Sequence, residues 1–165
     1  MEIKKTSINL TEQSVQFHSN VCVEGDIIVP DIKPDIREIL LADASAVTQS
    51  ATYRNGKLHI SGTVFFKILY RPEADDEGCE LKSLNTSFAF SDSVDIPSGE
   101  DVKFYVGAST EHIGFTLVNS RKLSMKVIVA LSVNGYRNRL YEPICAISGN
   151  DVQCREKRHN IYLPV

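Results

Sequence analysis

The feature that most constrains this chain is the run from Leu123 to Val133. Leu123, Met125, Val127, Val129, Leu131 and Val133 alternate with Ser124, Lys126, Ile128, Ala130 and Ser132. A period of two puts the first set on one face of a β-strand. Six apolar residues on one face need a second layer to cover them. A matching strand begins after the hairpin turn Arg54-Asn55-Gly56-Lys57, whose Asn-Gly pair suits a two-residue β-turn. Leu58, Ile60, Gly62, Val64, Phe66 and Ile68 share one of its faces, and His59, Ser61, Thr63, Phe65, Lys67 and Leu69 the other. Phe65 and Leu69 predict that the far end of this strand is covered on both sides. The segments starting at Lys57-Leu58 and Lys122-Leu123 also align, with Val64 against Val129. That suggests an internal two-fold repeat, two similar β units face to face.

The rest of the chain fits an all-β plan. Ile3 to Leu10 reads as an edge strand, and Val15 to Ile28, β-branched and interrupted by Gly25, as one or two strands with a bend. Pro30 and Pro34 punctuate the next stretch, each with an Asp behind it. Ile36, Ile39 and Leu40 lie at helical spacing, so a short helix is expected near residues 35–42, capped by Asp35 or Asp31. Ala44 to Tyr53, Leu81 to Phe90, Val102 to Ser109 and Glu111 to Val118 read as strands, with a turn at Asn119-Ser120-Arg121. Asn134-Gly135 ends the strand that begins at Leu123, and Tyr141 to Ser148 is a last partial strand. The expected fold is a two-layer β-sandwich with one short helix, a single domain over residues 1–165. Its ends, 1–10 and 153–165, are β-prone.

Composition narrows the function. A net charge of −3 gives no general attraction to nucleic acid. No apolar run is long enough for a membrane helix, and no apolar segment comes after Lys4-Lys5 as in a signal peptide. The sequence has no glycine-rich phosphate loop, no G-x-S-x-G and no H-E-x-x-H. Its histidines are scattered, and a Cys22–His59 nucleophile pair is weaker than the reading of two unrelated side chains. The acidic loop with Glu73, Asp75, Asp76, Glu77 and Glu80 lacks the order of a calcium loop. Of the four cysteines none forms a C-x-x-C pair, and Cys79 and Cys154 are candidates for cross-linking. No enzyme, cofactor or metal site is expected. The apolar ends supply candidate assembly residues: Ile3, Ile8 and Leu10 at one, Ile161, Tyr162 and Leu163 at the other. A second candidate is a glycan-binding module using Tyr53, Tyr70, Tyr105 or Tyr136 as stacking platforms.

The segments V-P-D-I-K-P-D-I-R-E-I-L and N-G-K-L-H-I-S-G-T-V-F-F-K-I-L-Y resemble the SPOCS domain of clostridial spore-coat morphogenetic proteins. L-N-T-S-F-A-F-S-D-S-V-D-I-P and R-K-L-S-M-K-V-I-V-A-L-S-V fit it too, so the resemblance runs from about Val15 to Val133. It implies a non-enzymatic structural or morphogenetic protein of the spore envelope, made in the cytoplasm and placed at the coat or spore surface. It implies partners among coat proteins, or further copies of the chain in oligomers or filaments. Family members often carry several such domains or a LysM module. A single copy without a LysM-like end points to a minimal version whose purpose is assembly.

Overall fold

The computed structural model describes residues 2–73, 81–97 and 101–148. They form eight strands: β1 (Glu2–Lys5), β2 (Ile8–Ile28), β3 (Ile36–Arg54), β4 (Lys57–Pro72), β5 (Lys82–Asp95), β6 (Lys103–Asn119), β7 (Lys122–Tyr141) and β8 (Ile144–Ser148). The chain divides into two compact units, one of residues 13–137 and one of Met1–Glu12 with Asn138–Val165.

The larger unit is a β-sandwich. One sheet has the strand order β3-β4-β5 and the other β2-β7-β6. The two alternating strands read from the sequence are the central strands, β4 and β7. Leu58, Ile60, Val64, Phe66 and Ile68 share one buried cluster with Leu123, Met125, Val127, Val129, Leu131 and Val133. Burying two such apolar faces against each other is the main favourable term in folding the unit. Bonds across the layers place the outer strands. Thr110 Oγ1 donates to the carbonyl of Ala44, 3.1 Å away, and the Tyr53 and Phe104 rings stack at 5.8 Å, so β6 lies over β3. Ser19 Oγ donates to Asp92 Oδ2 at 2.7 Å, which sets β2 over β5.

The two aligned segments each lie in an antiparallel hairpin, β3–β4 and β6–β7. The third position of each sheet is filled differently. In the first sheet β5 comes after β4 in the chain; in the second β2, from before both hairpins, takes that place. The Asn55-Gly56 turn forms as expected. Both residues have positive φ, 52° and 78°, as a type I′ turn requires.

Four expectations are corrected. No helix forms at 35–42, because Ile36 to Arg54 is the strand β3. Its register shifts between Ile36 and Glu38 and again between Ile39 and Leu41. Each bulge inserts a residue and turns the side chains beyond it over. Ile36, Ile39, Ala42 and Ala44 therefore point inward at a spacing of three, then three, then two, which imitates a helix. Likewise 102–109 and 111–118 are one strand, β6, broken in register between Thr110 and His112. Asn134-Gly135 does not end β7, since Gly135 pairs with Phe104. A Cβ at Gly135 would lie 2.8 Å from Val102, so the glycine marks a close approach rather than a stop. Phe65 is exposed and Leu69 half-buried, so among the described residues that end of β4 is not closed over on its second side.

Candidate assembly surfaces

The P-D-I-K-P-D-I segment forms the corner between β2 and β3. The N–H of Lys33 donates to the Pro30 carbonyl at 2.9 Å, closing a turn with Asp31 and Ile32 at its tip. Pro30 and Pro34 fix φ on either side. The corner is clamped by the β6–β7 turn. Arg121 Nη1 donates to Asp35 Oδ1 at 2.5 Å, and Nη2 to Asp31 Oδ1 at 3.0 Å and to the Val29 carbonyl at 3.1 Å. Ser120 Oγ donates to Asp35 Oδ2 at 2.8 Å. Backbone bonds close the frame, from Val29 N to Arg121 O at 2.9 Å and from Ile36 N to Ser120 O at 2.7 Å. The Tyr70 hydroxyl donates to the Pro34 carbonyl at 3.1 Å, and burial pushes its phenol pKa up.

The two Asp residues thus hold an arginine, and neither caps a helix. The Ser120 hydroxyl first, and Arg121 second, keep the Asp35 carboxyl below its ordinary pKa. Four hydrogen bonds from one guanidinium and one hydroxyl make this the densest polar cluster among the described residues. Its members bond one another within the chain, which fastens the corner. At the tip of the turn Ile32 is 91% exposed next to the exposed Asp31, and Ile28, at the end of β2, is 70% exposed.

The smaller unit is of a different kind. β1 pairs with β8 antiparallel, with Ile3 opposite Ile147 and Lys5 opposite Ile144. The N–H of Thr6 reaches the Pro143 carbonyl at 3.1 Å. Thr11 Oγ1 bonds Asn138 Oδ1 at 2.8 Å, and the Tyr141 hydroxyl bonds Glu12 Oε2 at 3.1 Å. Arg139 lies 5.5 Å from the centre of the Tyr141 ring. None of its described residues is buried. Ile3, Ile8, Leu10, Leu140, Ile144 and Ile147 are all exposed. Three of them are the N-terminal assembly residues expected from the sequence. Ile161, Tyr162 and Leu163, the expected C-terminal ones, lie outside the described residues, as do Cys79, Cys154 and the acidic residues Asp75, Asp76, Glu77 and Glu80.

The remaining candidates separate. His59 sits on the outer face of β4, between Thr52 of β3 and Ser93 of β5. Cys22 sits on the outer face of the other sheet, 3.4 Å from Glu24. The core lies between them, so they form no pair. On that same face Lys126 meets Glu24 at 2.5 Å and Lys122 meets Asp26 at 2.8 Å, tying β2 to β7. Hydrogen bonding from Lys126 lowers the Glu24 pKa, and the same bond raises that of Lys126. Among the tyrosines, Tyr70 is buried and Tyr53 is packed on Phe104. Tyr105 and Tyr136 share the outer face of β6 and β7, edge to face at 5.8 Å. Sequence reasoning missed Arg121. The one signal was an arginine in a polar turn, in a chain with two Pro-Asp pairs seeking a partner.

A family model described as SipL, SPOCS domain, matches residues 35–118, half of the chain. The chain belongs to the SPOCS-domain family. The matched part of this SPOCS domain begins at the clamp carboxylate Asp35 and stops two residues short of Ser120. It takes in β3, β4, β5 and nearly all of β6, and lies inside the longer stretch over which the sequence resembles the family. No curated protein and no solved structure gives a match.

Proposed function

We propose that this SPOCS-domain chain is a non-enzymatic structural protein of the bacterial spore envelope, working through protein–protein contacts with coat proteins and with copies of itself. Membership of the family supports the tie to sporulation. The observation that carries the contact role is the smaller unit. It holds six large exposed aliphatic residues, Ile3, Ile144 and Ile147 on the β1–β8 ribbon and Ile8, Leu10 and Leu140 at the ends of β2 and β7, and none of its described residues is buried. A two-strand ribbon in water is marginal by itself, and exposed apolar surface on it supports a role in contacts. Deleting Met1 to Leu10 tests the reading. The intact protein sediments as oligomers or filaments and is seen as such by electron microscopy, while the truncated one is a folded monomer. An intact protein that stays monomeric at high concentration removes self-assembly and leaves other coat proteins as partners.

A second reading, a glycan-binding module, is favoured by one observation. Tyr105 is 62% exposed and stands against Tyr136, with Asn134 in the same row. Ring faces beside amides suit sugar rings. A monomer retained on peptidoglycan, and released by Tyr105→Ala, is its signature.

A further inference from the structure

We infer that the free edge of β5 is a self-association site: two copies of the chain pair β5 with β5, antiparallel about a two-fold axis, and so join their three-stranded sheets into one of six strands. This contact lies wholly in the sandwich. It goes beyond the self-assembly reading and does not depend on the smaller unit.

Among the described residues the sandwich has four edge strands, β2, β3, β5 and β6. An open edge invites pairing with another chain, and charges, prolines and bulges are what blunt it. β3 has three register shifts and carries Arg37, Glu38, Asp43 and Arg54. β6 has two shifts, with Lys103, Glu111 and His112 along it. β2 carries Glu12, Glu24 and Asp26. The middle of β5 has none of these devices. It pairs with β4 from Lys82 to Asp95 without a shift, and from Ser83 to Ser91 it has no charge and no proline.

The ladder shows which backbone groups are open. Ile96 N, just past β5, donates to the Gly56 carbonyl at 2.8 Å, so even-numbered positions of β5 bond β4 and odd-numbered ones point away from it. Two odd positions are held within the chain. The Ser83 carbonyl accepts from Lys33 Nζ, and Ser93 N donates to Asp92 Oδ1 at 2.8 Å. Between these two stops, Asn85, Ser87, Ala89 and Ser91 point N–H and C=O groups outward, and no described residue bonds them.

This set matches itself. In an antiparallel pair of copies, Asn85 lies opposite Ser91 and Ser87 opposite Ala89, and each such pair exchanges two bonds, about eight in all. The outward side chains in this register are small and uncharged, so no like charges meet. On the inner side Phe88 falls opposite its own counterpart at the axis, at the close spacing of a non-hydrogen-bonded pair, where aromatic side chains reinforce a sheet. Within one chain Phe88 is only half-buried, edge to face with Phe66 at 5.5 Å. The partner is therefore selected by the backbone pattern, and a surface that is its own complement makes an isologous contact. One strand edge is a small contact, so the pair is weak by itself and fills at high concentration or beside a second contact.

The test is quenched hydrogen exchange of the full chain at about 10 μM and about 1 mM, read by mass spectrometry over residues 82–95. The outward amides of Asn85, Ser87, Ala89 and Ser91 should exchange at least about tenfold more slowly at the higher concentration. Ser87→Lys with Ala89→Lys sets lysine opposite lysine across the axis and should abolish the slowing. Ser87→Glu with Ala89→Lys sets opposite charges there and should restore it. Both positions are exposed, so each double variant should keep the parent's melting temperature. Ile3→Lys, which charges the ribbon, should leave the slowing in place. Amides that exchange equally fast at both concentrations, or a slowing that the lysine pair does not diminish, overturn the edge pair. If the parent nevertheless sediments as oligomers, the ribbon reading stands without it; a slowing that behaves as expected in a chain whose ribbon proves inert keeps the edge pair and removes the ribbon.

Discussion

The two units of this chain solve opposite problems with the same material. The described residues of both are mostly strand, and both units are rich in branched aliphatic residues. In residues 13–137 those residues alternate strictly on the central strands, and both faces close on each other, leaving Leu58, Val64, Val127, Val129 and Val133 fully buried. Among the described residues of the smaller unit every aliphatic one is exposed. The difference teaches that hydrophobic content does not make a core. Register and a facing sheet do.

The sharpest way to break the contrast is to charge the core. Val129→Asp buries an unpaired carboxylate where the wild-type side chain has no exposure. A penalty of several kcal/mol is a large share of a domain's stability, and circular dichroism should show no cooperative melt at 25 °C. Next in size is the clamp. Arg121→Ala removes three hydrogen bonds at the corner and should cost about 2 kcal/mol in urea unfolding. Arg121→Lys should recover only part of this, since an ammonium cannot reproduce the fork.

Acid provides a smaller, graded probe. Asp35 has a lower pKa folded than its ordinary value of 3.8. On acidification the unfolded chain therefore takes up the proton first. The stabilisation from Asp35 is present above pH 3.8 and is lost as the pH falls through the lower folded value. Asp35→Asn should flatten that part of the decline in melting temperature below about pH 4. The least effect on folding is expected in the smaller unit. Ile3→Lys should leave the melting of the sandwich unchanged within about 0.5 kcal/mol, yet weaken assembly in sedimentation. If it instead lowers the melting temperature by several degrees, Ile3 is part of a folded core and the contrast between the units fails.

Much of the fold is legible in the sequence where one rule governs. β4 and β7 alternate without interruption, and their pairing as the two central strands can be read from that alone. The Asn55-Gly56 turn is equally plain, because its backbone demands those residue types. β3 and β6 are not legible as single strands, for one shared reason. They are edge strands with bulges, and a bulge shifts the inward set by one, so Ile36 and Ile39 look helical and Glu111 looks like a fresh start. The candidate surfaces divide in the same way. Exposed aliphatics near the N-terminus are visible to composition. The bond from Arg121 to Asp35 joins residues 86 apart, and no local pattern reports it.

The place of β2 has a consequence for how the chain is made. Its neighbour in the sheet is β7, and the bond from Arg121 to the Val29 carbonyl spans 92 residues. At 5–20 residues per second, β2 leaves the ribosome roughly 5 to 20 s before that partner exists. In that interval β3, β4 and β5 can pair in the order in which they emerge, whereas β2 waits with a long open edge. Gln16, His18, Asn20, Glu24 and Asp26 on its outward side make it a poor template for stray strands, as polar and charged residues on an edge do. The waiting strand is kept soluble by the face that later points to water.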